Sequence, residues 1–241
     1  LPEARARLAA LKDDAAQSAD FYLLRADYAN QSGSTADAFS ALQTSISKDP
    51  GFKRAWANLY ELARQPQYSQ AFITTAEQHL AATPDDAWLR RLLAEHHINH
   101  QAYAAARSHY QYLLSAGQFK DDPWLYNNLA NTLLPDNAEQ ALAYAEQAEQ
   151  LLNNNPRIQL TRAKALRELR QFDKALIVLR QAFAIDSTDA ETNYLLADSL
   201  IQLDRKDEAG TILRNLVKTT SQQSYKTQAA ALLRTIESGA Q

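Results

Sequence analysis

The run Glu95-His96-His97-Ile98-Asn99-His100 gathers the side chains best suited to chemistry. His96 and His100 stand one helical turn apart, and a pair at that spacing can ligate zinc. No third ligand is evident, and the plainer reading makes these histidines structural. The absence of cysteine excludes a zinc–thiolate site, a disulfide and a cysteine nucleophile. There is no glycine-rich phosphate loop, no nucleophile elbow and no His-Glu-x-x-His. Scattered Asp and Glu read as solvating charges on helix faces. The expectation is a protein that is not an enzyme, with no catalytic residue, no metal site and no cofactor.

The elements that must position any functional residue read as helices. Only 5 Gly and 7 Pro occur in 241 residues, and Ala, Leu, Gln, Glu and Arg abound. Net charge −3 gives no electrostatic footprint for nucleic acid or an anionic membrane. No apolar run approaches the ~20 residues of a membrane span. Between Pro156 and Leu216 two segments read alike. Ala163 and Ala197, Leu166 and Leu200, Ala175 and Ala209, and Leu179 and Leu213 are each 34 residues apart. Within each segment apolar residues recur at three- and four-residue steps, which places them on one helical face. The small residues at unit positions 8 and 20 let paired helices approach closely, and large residues at positions 11 and 24 fill the space between them.

Self-similarity at this period resembles the tetratricopeptide repeat (TPR). The resemblance covers nearly the whole chain and implies an all-α, right-handed superhelical solenoid of helix-turn-helix units. Residues 1–18 match the second helix of a truncated repeat. Six repeats follow at about 19–52, 53–86, 87–122, 123–155, 156–189 and 190–221, then a capping helix over 222–241 with Ala231 at position 8 and Gly239 as C-cap. The second repeat is irregular, with Tyr60 at position 8 and Ala71 one residue early. Pro66 and Pro135 are expected to shorten the turns between paired helices. His97 falls at position 11, normally a core aromatic. Ser115–Asp122 carries about two extra residues, as a longer loop or a hinge. The chain begins at Leu1 without methionine or a signal peptide, so further repeats and any targeting signal are expected upstream.

In TPR proteins the first helix of each unit lines a concave groove. Carried over by register, the groove positions include Asp27, Asn30, Asn58, Glu61 and Arg91 in the early repeats. Later repeats supply Trp124, Asn127, Asn128, Asn131, Arg157, Thr161, Lys164, Arg167, Glu191, Tyr194 and Asp198. Asparagine both donates and accepts, which suits an extended peptide backbone. Arg and Lys beside it can hold a carboxylate. Asn127, Asn131, Lys164 and Arg167 thus resemble the carboxylate clamp of peptide-binding TPR domains without reproducing its pattern. The same residues also suit the solvated face of amphipathic helices. Trp88 and Trp124 can stack on a ligand or pack against the preceding loop, whereas Trp56 reads as core.

The stretch from Leu125-Tyr-Asn-Asn-Leu-Ala130 through Ala141-Leu-Ala-Tyr-Ala-Glu-Gln-Ala148 resembles bacterial TPR lipoproteins of exopolysaccharide (PEP-CTERM) systems over roughly 123–216. Asn131 stands there in place of tryptophan. That resemblance implies a periplasmic or envelope location; a cytoplasmic one stays open. The expected function is a non-catalytic scaffold whose concave groove holds a protein or peptide partner, as an extended peptide or as a partner helix. Two alternatives stand beside it: a structural part of an envelope export system, and the targeting arm of a larger enzyme. The sequence does not indicate the oligomeric state.

Overall fold

The computed structural model describes residues 18–238. The readings placed on residues 1–17 and on Gly239 lie outside them. Among the described residues thirteen helices follow one another: α1 (Ala19–Gln31), α2 (Thr35–Lys48), α3 (Lys53–Ala63), α4 (Pro66–Ala82), α5 (Ala87–Asn99), α6 (Tyr103–Ser115), α7 (Pro123–Leu133), α8 (Ala138–Leu151), α9 (Pro156–Glu168), α10 (Phe172–Ile185), α11 (Ala190–Gln202), α12 (Lys206–Thr219) and α13 (Gln223–Ser238). They form two compact units, divided within α6 between His109 and Tyr110.

Several helices start where a polar side chain satisfies an orphan N–H. Ser18, Asp86, Asp122, Asn137, Asn155 and Asp189 each accept from the first turn of the helix that follows. The first helices α1, α5, α9 and α11 stop at a recurring turn. Gly33, Gln101, Arg170 and Asp204 all adopt positive φ two residues past a first helix. The next N–H then reaches back five residues, as in Ser34 to Ala29 O (2.9 Å) and Gln171 to Leu166 O (2.8 Å). The connections before α3, α5 and α11 are tied down from position 4. Trp56 Nε1 donates to Pro50 O, Arg90 Nη2 to Pro84 O and Asn193 Nδ2 to Ser187 O, each six residues back.

In the first unit Leu23, Ala26, Ala38, Leu42, Trp56, Leu59, Phe72, Leu89 and Leu93 form one core. The small residues at position 8 (Ala26, Ala94) and position 20 (Ala38, Ala106) are buried. The α3–α4 hairpin breaks that rule. Tyr60 takes the small-residue place and meets Phe72 with ring centroids 5.8 Å apart. Pro66 opens α4 at its first position, where no N–H is needed, leaving two residues between the helices.

In the second unit Ala130, Ala163 and Ala197 of the first helices and Ala141, Ala175 and Ala209 of the second are fully buried. Pro135 acts differently from expectation. It shortens α7 to 11 residues, against 13 for α9, and leaves four residues before α8. Proline has no N–H with which to continue the helical ladder. The buried close contact of α13 is Ala229, not Ala231, which is exposed. Leu232, Leu233 and Ile236 pack that helix onto the core built from Leu196, Leu200, Leu213 and Leu216.

Candidate functional site

Within each unit the first helices are joined side by side by polar contacts. In the first unit Asn58 Nδ2 of α3 donates to Asp27 Oδ1 of α1 (3.2 Å), and Asn99 Nδ2 of α5 to the Tyr60 hydroxyl (3.1 Å). Arg91 lies in this unit and donates to Glu95 Oε1 on its own helix (3.1 Å).

The other candidate residues lie in the second unit. Asn128 Nδ2 donates to the Tyr110 hydroxyl (3.0 Å). Asn131 Nδ2 donates to Asn127 O and to Thr161 Oγ1 (2.9 and 3.2 Å), which links α7 to α9. Asn127 is itself buried, 4% exposed, and its Oδ1 has no hydrogen-bond partner in the protein. Lys164 Nζ sits 2.6 Å from Glu191 Oε1. Arg167 is the most heavily engaged. Its guanidinium donates to Asp198 Oδ2, to Ser199 Oγ and to the backbone oxygen of Leu195. The row ends at Tyr225 of α13, whose hydroxyl bonds to Glu191. Burial, then the Glu191 carboxylate, pushes its pKa up to about 12. Tyr194 is likewise raised, by burial and then by Asp198.

Both cations thus meet a carboxylate supplied by the following repeat. Arg157 is exposed and lies over the Trp124 ring, 5.4 Å from its centroid. Trp124 is half-buried and packs beside Tyr144 and Leu114 against Tyr126, Ala148 and Ile158. Trp88 packs similarly on the first core, with Lys53 over its ring, and Trp56 is wholly buried. The asparagines before α9 have local work: Asn154 adopts φ +54° and Asn155 caps the helix. Ser199 and Tyr225 escaped sequence reasoning, because Tyr225 lies beyond the repeats and Ser199 is one place off the groove register.

The histidines occupy a different environment. His96 Nε2 is 2.8 Å from Ser69 Oγ, and His100 Nδ1 is 2.9 Å from the backbone oxygen of His96. The His96 and His100 rings lie 4.2 Å apart, and His97 stacks on His109 at 5.6 Å. Among the described residues no group of three or more His, Cys, Asp or Glu is arranged to hold a metal ion. No described helix is long and apolar enough to cross a membrane.

One protein family matches in sequence: anaphase-promoting complex (cyclosome) subunit 3, over residues 136–216, about a third of the chain. No curated protein matches. Among solved structures, a tetratricopeptide repeat protein from Parabacteroides merdae superposes with TM-score 0.71 at 14% identity, covering 92% of this chain and 93% of that one. The APC/C hetero-tetramer Cut9–Hcn1 gives TM-score 0.67 at 18% identity, covering 97% and 45%. YrrB, described as a TPR protein with an unusual peptide-binding site, gives 0.60 at 16% identity, covering 80% and 100%. The chain spans less than half of the Cut9–Hcn1 chain and of yeast Tom70. These likenesses identify the fold as an α-solenoid of tetratricopeptide-type helical hairpins.

Proposed function

We propose that the chain is a non-catalytic scaffold that holds a protein partner as extended polypeptide along the first helices α7, α9 and α11. The observation that carries this reading is the chain of bonds from helix to helix, Asn131–Thr161, Lys164–Glu191 and Arg167–Asp198. These contacts fix a row of amides and charges at set spacing before any ligand arrives, which lowers the ordering cost of binding. Asn131 and Arg167 hold that spacing. Asn128, Arg157 and Lys164, with the Trp124 edge, remain to touch a ligand. Exposed charge pairs contribute only about 0.2–1 kcal/mol each, so affinity comes from several contacts together. The peptide-binding site named for YrrB supports this use of the fold. Affinity capture from cell extract tests it, with the chain and an Arg157→Glu/Lys164→Gln variant as baits. The proposal expects a partner on the first bait and its loss from the second; equal capture by both overturns it.

A second reading rests on another surface. Ile177 and Ile185 of α10 are 61% and 49% exposed, and Leu151 and Leu152 at the end of α8 are also exposed. Large exposed apolar side chains on second helices favour assembly through that face. This suits a structural part of an envelope export system, the role implied by the resemblance over 123–216, or the targeting arm of a larger enzyme. Ile177→Ser/Ile185→Ser then abolishes capture, while Arg157→Glu/Lys164→Gln does not.

A further inference from the structure

We propose that a cleft in the first unit, between α1, α2 and α3, receives one long cationic side chain, arginine or lysine, from a bound polypeptide. The cleft measures about 260 Å³, ample for a long side chain. Ala26, Leu42 and Leu62 give it an apolar wall, and all three are buried. Asp27 and Glu61 add two carboxylates, and Asn58 adds an amide. No cation lines the cleft. An aliphatic stem against the apolar wall with a charged head at the carboxylates is how Lys and Arg are ordinarily accommodated at half-wet sites. An acidic ligand would find carboxylates and no cation in the lining. A purely apolar one would strip water from Asp27 and Glu61 and return no partner.

The carboxylates are already oriented. Asn58 Nδ2 donates to Asp27 Oδ1 (3.2 Å), which leaves Oδ2 with Arg54 at 3.8 Å. Glu61 meets Arg64 at 3.2 Å. Arg54 and Arg64 are about 70% exposed and stand outside the cleft, so these are surface pairs that an incoming guanidinium can displace at little cost. A planar guanidinium can engage a carboxylate through two parallel bonds, which favours arginine over lysine.

The inference rests on the reading of the chain as a polypeptide binder, but its test does not use the second unit. The full-length chain, labelled with nitrogen-15, is titrated with N-acetyl-arginine methylamide and, separately, with the norleucine analogue, which keeps an apolar stem and lacks the charge. The expected result is a saturable shift of the Asn30 and Asn58 side-chain amides with the arginine probe, at a dissociation constant in the millimolar range. It weakens about tenfold in Asp27→Asn/Glu61→Gln, whose spectrum elsewhere is unchanged. Equal shifts with the norleucine probe overturn the proposal, as do arginine shifts that survive in the double variant or the absence of any saturable shift up to about 50 mM. Failure here leaves the capture experiment on Arg157 and Lys164 unaffected, so the two readings fall separately.

Discussion

Arg167 and Lys164 show how two cations one turn apart on α9 come to differ. Lys164 has one partner, Glu191, and both side chains remain about a third exposed. Arg167 has three partners, on Leu195, Asp198 and Ser199, and is 16% exposed. Removing Arg167 strands a half-buried carboxylate and a carbonyl, whereas removing Lys164 frees a carboxylate that water can solvate. Arg167→Ala is expected to lower unfolding free energy by about 2 kcal/mol, and Lys164→Ala by under about 1 kcal/mol, as read by urea denaturation. Arg167→Lys does not restore the loss, because one ammonium cannot reproduce the fork geometry. Backbone conformation gives a second residue-scale prediction. Gly33 has φ +80° with open space where a Cβ would stand, so Gly33→Ala costs about 1 kcal/mol through the backbone alone. Gln101 occupies the equivalent turn at φ +58°, and Gln101→Gly is expected to raise stability by about 0.5–1 kcal/mol in the same measurement.

The hairpin is the scale at which the sequence speaks most clearly. Alanines at positions 8 and 20 recur because paired helices touch there, and a repeated steric demand leaves a repeated residue type. Other repeated demands leave none. Trp56, Arg90 and Asn193 all donate six residues back to a loop carbonyl, yet share only a donor at the right reach. The left-handed turn accepts Gln, Arg and Asp as well as Gly, so glycine marks it only once, at Gly33. The acids that meet Lys164 and Arg167 belong to the following repeat, out of sight of a reading made one repeat at a time. The aromatic exchange in α3–α4 also has a consequence for pH. Tyr60 and Phe72 enclose His96, which also faces His97, His100 and Ser69. His109 faces His97 and Arg90. Burial, then these like charges, hold His96 and His109 down to about 4, and burial lowers His97 against the pull of Glu77. In the unfolded chain these rings titrate near 6.5, so between about 4 and 6.5 the unfolded state binds more protons. The histidine contribution is therefore fully present above about pH 6.5 and is lost as pH falls toward 4. Urea midpoints should drop between about pH 7.5 and pH 5, and His96→Gln/His109→Gln should narrow that drop.

At the scale of the whole molecule, stacked hairpins derive stability from their neighbours, and the last apolar face needs a cover. Helix α13 supplies Ala229, Leu232, Leu233 and Ile236 to that end of the second unit. Its apolar pattern made a helix legible after the sixth repeat, but not the face it buries: Ala231 holds the place that the 34-residue period assigns, and Ala229 makes the contact. Truncation after Thr220 is expected to expose Leu213 and Leu216, lower the melting temperature of the second unit and promote association, as read by calorimetry and light scattering. The proposed partner lies along the first helices α7, α9 and α11. Amide hydrogen exchange on the chain with and without its captured partner tests it most directly. A partner held there gives new protection at 123–133, 156–168 and 190–202, with α8 and α10 unchanged. Protection confined to α8 and α10, around Leu151, Leu152, Ile177 and Ile185, would contradict it.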